Sequence, residues 1–148
     1  MVIFIFFLIF NITYGNKCTL YGPLSHGALS WGLTSNHHTA SGSITNSNNG
    51  SETIQSFITI FDRFPTVTYI CFIPKRLNCS FNITNDCIIY GPLYHGVFAW
   101  GIDYDRNQIP GSGQSSNTGS ETIDIFTLMF NIYSNMMALC FCPKKVNC

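Results

Sequence analysis

An internal duplication constrains the fold of this chain more than any other feature of its sequence. Residues 18–79 align with residues 87–148 at a constant offset of 69, without a gap, and 26 of the 62 aligned positions are identical. The shared blocks are CxxYGPLxHGxxxWG, GSETIxxFxxxF and CFxPKxxNC. Self-similarity at a fixed offset is typical of repeated structural units. The sequence therefore predicts two copies of one small module, at residues 16–79 and 87–148, joined by a linker at 80–86.

The N-terminal segment predicts export. Residues 1–10, MVIFIFFLIF, form an unbroken apolar run, whereas a membrane-spanning helix needs about 20 such residues. A run of this length followed by a small residue, here Gly15, is typical of a secretory signal peptide. An N-terminal anchor and a buried first strand are the alternatives. We expect residues 1–15 to be removed, leaving a secreted mature chain without a membrane span.

The cysteine pattern favours a disulfide framework. All seven cysteines follow the leader, and no CxxC pair of the usual zinc spacing is present. A module of about 60 residues has a marginal core, which disulfides usually reinforce. Six cysteines occupy equivalent positions in the two copies, and we predict the pairs Cys18 with Cys79, Cys87 with Cys148, and Cys71 with Cys140, the last at an interface between the modules.

Cys142 is the seventh cysteine, and the first copy has Ile73 at the equivalent position. We expect it to be a buried thiol. The alternatives are a partner close to Cys140 and an intermolecular bridge. After the leader, three N-x-S/T sequons predict glycosylation at Asn49, Asn78 and Asn82.

Short apolar and β-branched segments predict strands at residues 18–24, 27–33, 66–73 and 135–142. Residues 51–64 are ambiguous, because a helical period competes with the β-branched run SFITIF. We favour a strand there, and hence a mainly β protein of two tandem disulfide-stapled modules. The alternative is an α+β fold with one helix at about 51–64 and 120–133, Ser51 serving as an N-cap. Residues 34–50 and 103–119 form long polar loops, which are often functional or disordered.

Composition excludes several classes of protein. Seven basic and seven acidic residues give zero formal charge, and only 9% of residues are charged. A nucleic-acid-binding protein needs a basic face, so no nucleic-acid partner is expected. The 15% aromatic content also argues against a disordered chain.

The YGPLxHGxxxWG block is the candidate binding site. Aromatic faces beside an imidazole can stack on a ligand ring and donate a hydrogen bond, and neighbouring glycines allow close approach to the backbone. A purely structural role, in which these rings give bulk to a small core, is the competing interpretation. The candidate residues are Tyr21, His26, Trp31, Tyr90, His95 and Trp100.

No catalytic residue, metal site or cofactor is expected. The chain lacks GxSxG, HExxH, P-loop and GxGxxG motifs. His37 and His38 have no histidine counterparts in the second copy, so a solvated loop is favoured over a metal site.

The leading functional prediction is a secreted, non-enzymatic binding protein whose two modules contact an extracellular protein or glycan. One alternative is a structural or coat protein that assembles through Cys142 or through exposed β edges. The other is a small hydrolase that uses the pairs His26/Glu52 and His95/Glu121 for acid–base chemistry.

Overall fold

The computed structural model describes residues 24–75 and 93–144. Each stretch contains three strands and one helix in the same order. Every element of the second stretch begins 69 residues after its counterpart. The first strands, for example, begin at residues 28 and 97. The elements are β1 (Ala28–Thr34), β2 (Thr45–Asn46), α1 (Gly50–Arg63), β3 (Val67–Pro74), β4 (Val97–Asp103), β5 (Gln114–Ser115), α2 (Gly119–Ile132) and β6 (Met136–Pro143).

The six strands form one antiparallel sheet in the order β2-β1-β3-β6-β4-β5. β3 and β6 are neighbours at its centre, so strands from both halves of the chain share a single sheet. The strands predicted at 66–73 and 135–142 are confirmed as β3 and β6. The strand predicted at 27–33 corresponds to β1, and the one predicted at 18–24 lies outside the described residues except for its last position.

The preferred strand at residues 51–64 is wrong, because this segment is the helix α1. Its N-cap is Asn49 and not Ser51, and the Asn49 side chain accepts a hydrogen bond from the Glu52 amide. The helical spacing of Ile54, Phe57 and Ile60 buries one face against the sheet, and this burial outweighs the weak β preference of the branched residues. The fold is therefore sheet-dominated with two helices, as in the α+β alternative.

Both helices pack into one core on the same face of the sheet. Phe57 of α1 lies 5.0 Å, between ring centroids, from Phe141 of β6, and Phe126 of α2 lies 5.2 Å from Phe72 of β3. Each helix thus contacts a strand from the other half of the chain. A shared core removes more apolar surface from water than two separate cores of this size would. The two halves of the chain therefore share one sheet and one core.

Buried serines in the long polar segment after β1 hydrogen-bond to the backbone of that strand. Ser43 Oγ accepts a hydrogen bond from the Gly32 amide at 2.9 Å, and Ser47 Oγ accepts one from the Ala28 amide at 2.8 Å. Ser112 and Ser116 make the equivalent bonds after β4. These segments are therefore built into the fold, although their composition resembles that of a solvated loop.

Candidate functional site

A groove of about 700 Å³ lies on the face of the sheet that the helices leave open. Side chains alternate between the two faces of a strand, so the sheet positions that do not enter the helix-covered core line this groove. The strands contribute Trp31, Leu33, Ile73, Trp100, Ile102 and Met137. The segments after β1 and β4 contribute His37, Thr39, Ile44, Arg106 and Gln108.

A disulfide between Cys71 and Cys140 lies at the centre of this face. The two cysteines are directly opposite each other on β3 and β6. Trp31 pairs with Cys71 on one side, and Trp100 pairs with Cys140 on the other. The pairing of Cys71 with Cys140 is thus confirmed, and the two tryptophans flank the bond. The other two predicted disulfides involve residues outside the described part of the chain.

The Trp100 end of the groove is an aromatic cluster. The His37 ring stacks on Tyr69 with a centroid distance of 5.1 Å and an interplanar angle of 16°. Tyr69 in turn meets Trp100 edge-on at 5.1 Å and 81°. His37 has a backbone φ of 66°, in the left-handed region, in the turn after β1. Aromatic edge-to-face pairs of this kind contribute about 0.5–1.5 kcal/mol beyond burial.

The Trp31 end has different neighbours. The position 69 residues after His37 is Arg106, which lines the groove and has nearly the same backbone conformation, with a φ of 67°. The position 69 residues after Tyr69 is Ala138. Trp31 is half-buried, and no ring-to-ring contact is present for it within residues 24–75 and 93–144. Each end of the groove therefore has its own tryptophan, and the two tryptophans differ in the side chains around them.

The structure separates the residues of the predicted binding blocks. Trp31 and Trp100 line the groove. His26 and His95 are exposed, precede β1 and β4, and do not line it. Tyr21 and Tyr90 lie outside the described residues.

The glycine after each histidine has a structural reason of its own. Gly27 has a φ of 94°, and a Cβ there would collide with the carbonyl oxygen of Ser47. Gly96 has a φ of 93° and the same relation to Ser116. Close contact with the protein's own backbone therefore explains these two glycines without a ligand.

The glutamates of the hydrolase alternative cap helices. Glu52 Oε1 accepts a hydrogen bond from the Asn48 amide at 2.9 Å, and Glu121 Oε1 accepts one from the Asn117 amide at 2.8 Å. Together with the N-cap side chains they form the reciprocal capping arrangement of a helix start. In the part of the chain that the structure describes, no group of three His, Cys, Asp or Glu side chains is arranged to hold a metal ion.

Two further predicted residues have defined places. Asn49 is exposed at the start of α1, whereas Asn78 and Asn82 lie outside the described residues. Cys142 was expected to be buried, but it is half-buried on β6 opposite Phe98. Side chains at this position face away from the helix-covered core, which explains the remaining exposure.

Sequence reasoning missed His37, Ile44 and Arg106 as groove residues, and it missed Tyr69 as the ring that contacts both His37 and Trp100. The sequence predicts a solvated loop for His37 and a strand for Tyr69. The available signal was the alternation along β3, which places Tyr69, Cys71 and Ile73 on one face. The loop that brings His37 onto Tyr69 has no such signature.

No protein-family model, curated protein or solved structure matches this chain. Among the helices of the described residues, none has the length and apolar character needed to cross a membrane. The geometry of the groove consequently carries the functional argument.

Proposed function

We propose that this chain is a secreted, non-enzymatic binding protein of two duplicated modules, and that it contacts an extracellular protein or glycan through the open-face groove. The observation that carries the proposal is a concave, mainly apolar surface with a tryptophan toward each end, on a sheet whose other face is fully used by the core. Concave apolar sites with a few polar groups are typical of binding sites. The Cys71–Cys140 disulfide supports an oxidising compartment.

Two features disfavour the alternatives. The outermost strands of the sheet, β2 and β5, have only two residues each, so they offer little edge for assembly by strand addition. Glu52 and Glu121 accept hydrogen bonds from backbone amides at the helix starts, so each has a structural role that requires no catalysis.

The test uses two exposed isoleucines as a matched pair. Ile44 lines the groove and is 63% exposed, whereas Ile132, at the end of α2, is 58% exposed and lies outside the groove. Ile44→Glu is expected to weaken binding on an array of cell-surface receptors and glycans at least about tenfold, because it places a charge in an apolar contact. Ile132→Glu is expected to bind like the wild type.

Both variants should keep the wild-type thermal unfolding midpoint, since both side chains are already exposed. Wild-type binding by Ile44→Glu would contradict a role for the groove. Binding that is lost instead on changing His26 and His95 to Ala, with stability intact, would move the site to the strand starts.

A further inference from the structure

We propose that the open-face groove binds a fatty acid, with the hydrocarbon chain on the floor of the groove and the carboxylate at Arg106. This inference goes beyond the proposed function, because the occupant is a small amphiphile and not a protein or a glycan. The groove has an apolar floor and a polar rim, and the charge of that rim selects the head group of the ligand.

The strands give the groove an apolar floor. None of the lining residues that come from strands has a charged, amide or hydroxyl side chain. Trp31 on β1 and Trp100 on β4 lie in one row across this floor, with the paired Cys71 and Cys140 between them. Neighbouring strands are about 4.8 Å apart, so the three steps from β1 to β4 make the floor about 14 Å wide. A hydrocarbon chain that lies along this row loses water over its whole length.

The floor limits the kind of small molecule that can fill it. Hydroxyl or amide groups of a ligand would lose their water there without replacement by side chains. The backbone of β3 and β6 offers no replacement, because each of these strands is paired with a neighbour on both sides. A protein partner meets such a floor with apolar side chains, whereas a small ligand that fills it needs a chain free of polar groups.

The rim of the groove supplies the polar side chains, all from the segments after β1 and β4. They are His37, Thr39, Arg106 and Gln108. Arg106 is exposed and makes no ion pair within residues 24–75 and 93–144. Its nearest acidic neighbours in the sequence are Asp103 and Asp105, and neither is among the described residues that line the groove.

The charge of the rim selects an acidic head group. In the described part of the chain the groove is lined by a guanidinium and by no carboxylate, and a guanidinium can bind a carboxylate through two parallel hydrogen bonds. A cationic head group would meet Arg106 as a like charge. The volume of about 700 Å³ lies within the range of about 300–1,000 Å³ for small-molecule sites. An aliphatic chain with one acidic end therefore matches both the floor and the rim.

The protein carries its own probe for this ligand, because it has two tryptophans and both line the groove. Dodecanoate is titrated into the full chain, below the concentration at which it forms micelles, and followed by tryptophan fluorescence and calorimetry. Dodecylammonium, with a similar chain and the opposite charge, is titrated in parallel. We expect one dodecanoate per chain, a change in tryptophan emission, and an affinity at least about tenfold above that of dodecylammonium.

One pair of variants tests the head group. Arg106→Gln is expected to weaken dodecanoate binding about tenfold and to leave dodecylammonium binding no weaker, because it removes the charge that meets the carboxylate. Arg63→Gln, at the end of α1 and outside the groove, is the matched control and should bind dodecanoate like the wild type.

A second pair tests the position of the chain. Ile44→Glu places a carboxylate in the groove and is expected to weaken dodecanoate binding at least about tenfold. Ile132→Glu alters a similarly exposed isoleucine outside the groove and should leave dodecanoate binding unchanged.

The outcomes separate this inference from the proposed function. Equal affinities for dodecanoate and dodecylammonium overturn it, as does wild-type dodecanoate binding in Arg106→Gln. Binding of many dodecanoate molecules per chain, or binding only when micelles form, also overturns it, because both report adsorption to apolar surface. If array binding is lost in Ile44→Glu but dodecanoate does not bind, the inference fails and the proposed function stands. If dodecanoate binds as expected and the array yields no partner, the reverse holds.

Discussion

Buried hydroxyl groups are of two kinds in this protein. Ser47 Oγ hydrogen-bonds to the backbone of Ala28 and lies 2.7 Å from the hydroxyl of Thr53. Its hydroxyl is therefore satisfied by hydrogen bonds. Ser30 is also fully buried, on the core face of β1, yet its hydroxyl has no hydrogen-bond partner among residues 24–75 and 93–144. Its counterpart on β4 is Ala99, also fully buried. The position therefore accepts a residue with no hydroxyl.

Replacement of these serines is expected to have opposite effects. Ser30→Ala should raise the free energy of unfolding by about 1 kcal/mol, because it removes a buried hydroxyl without a partner. Ser47→Ala should lower it by about 1–3 kcal/mol, because the Ala28 amide then stays buried and unbonded. Denaturant unfolding followed by circular dichroism measures both. A destabilised Ser30→Ala variant would mean that the hydroxyl has a partner in the folded protein.

At the scale of the element, each helix begins with the same capping arrangement, although the N-cap residue differs between the two. Asn49 Oδ1 bonds the Glu52 amide at 2.9 Å, and Thr118 Oγ1 bonds the Glu121 amide at 3.1 Å. Each glutamate reaches back to a backbone amide before the helix. The cap satisfies amides that would otherwise lack partners and places a negative charge at the positive end of the helix dipole. This capping arrangement favours a helix at residues 51–64.

Two variants separate the cap of α1 from the sequon that includes it. Asn49→Ala and Ser51→Ala both destroy the sequon Asn49-Gly50-Ser51, but only the first removes the cap. We expect Asn49→Ala to lower the free energy of unfolding by about 1 kcal/mol relative to Ser51→Ala, as measured by denaturation. Equal stabilities would show that Asn49 contributes no capping energy.

At the scale of the whole molecule, the two halves are joined by the β3–β6 pairing, a shared aromatic core and the Cys71–Cys140 disulfide. The disulfide links residues 69 positions apart in the sequence. Helices of each half contact strands of the other, as Phe57 contacts Phe141. A chain held together in this way should unfold as one cooperative unit.

Removal of the Cys71–Cys140 disulfide tests whether the protein unfolds as one cooperative unit. The double variant Cys71→Ala, Cys140→Ala is expected to lose about 2–4 kcal/mol of unfolding free energy, because the unfolded chain is no longer cross-linked. Far-ultraviolet circular dichroism and tryptophan fluorescence should still report a single coincident transition, since the strand pairing and the core remain. Two separated transitions would show that the halves unfold independently.

Local signals were sufficient for the strands β3 and β6, whereas the Cys71–Cys140 pair was one choice among several connectivities, motivated by the odd number of cysteines in each copy. The strands are short runs of apolar residues that end at proline, and the two cysteines are equivalent positions of the repeated sequence. The helix α1 was harder, because its apolar period and its β-branched composition point in opposite directions. Packing against the sheet and capping by Asn49 decided it.

The repeated sequence by itself determined that equivalent segments have the same elements in the same order, since local propensity and periodicity act within each segment. Only the tertiary structure decided that these elements form one sheet, with one face covered by helices and the other open. That face brings His37, Tyr69 and Trp100 together, and its groove is also lined by Trp31 and Arg106. The reason is physical: β3 pairs with β6, and this long-range contact brings together side chains that no local pattern relates.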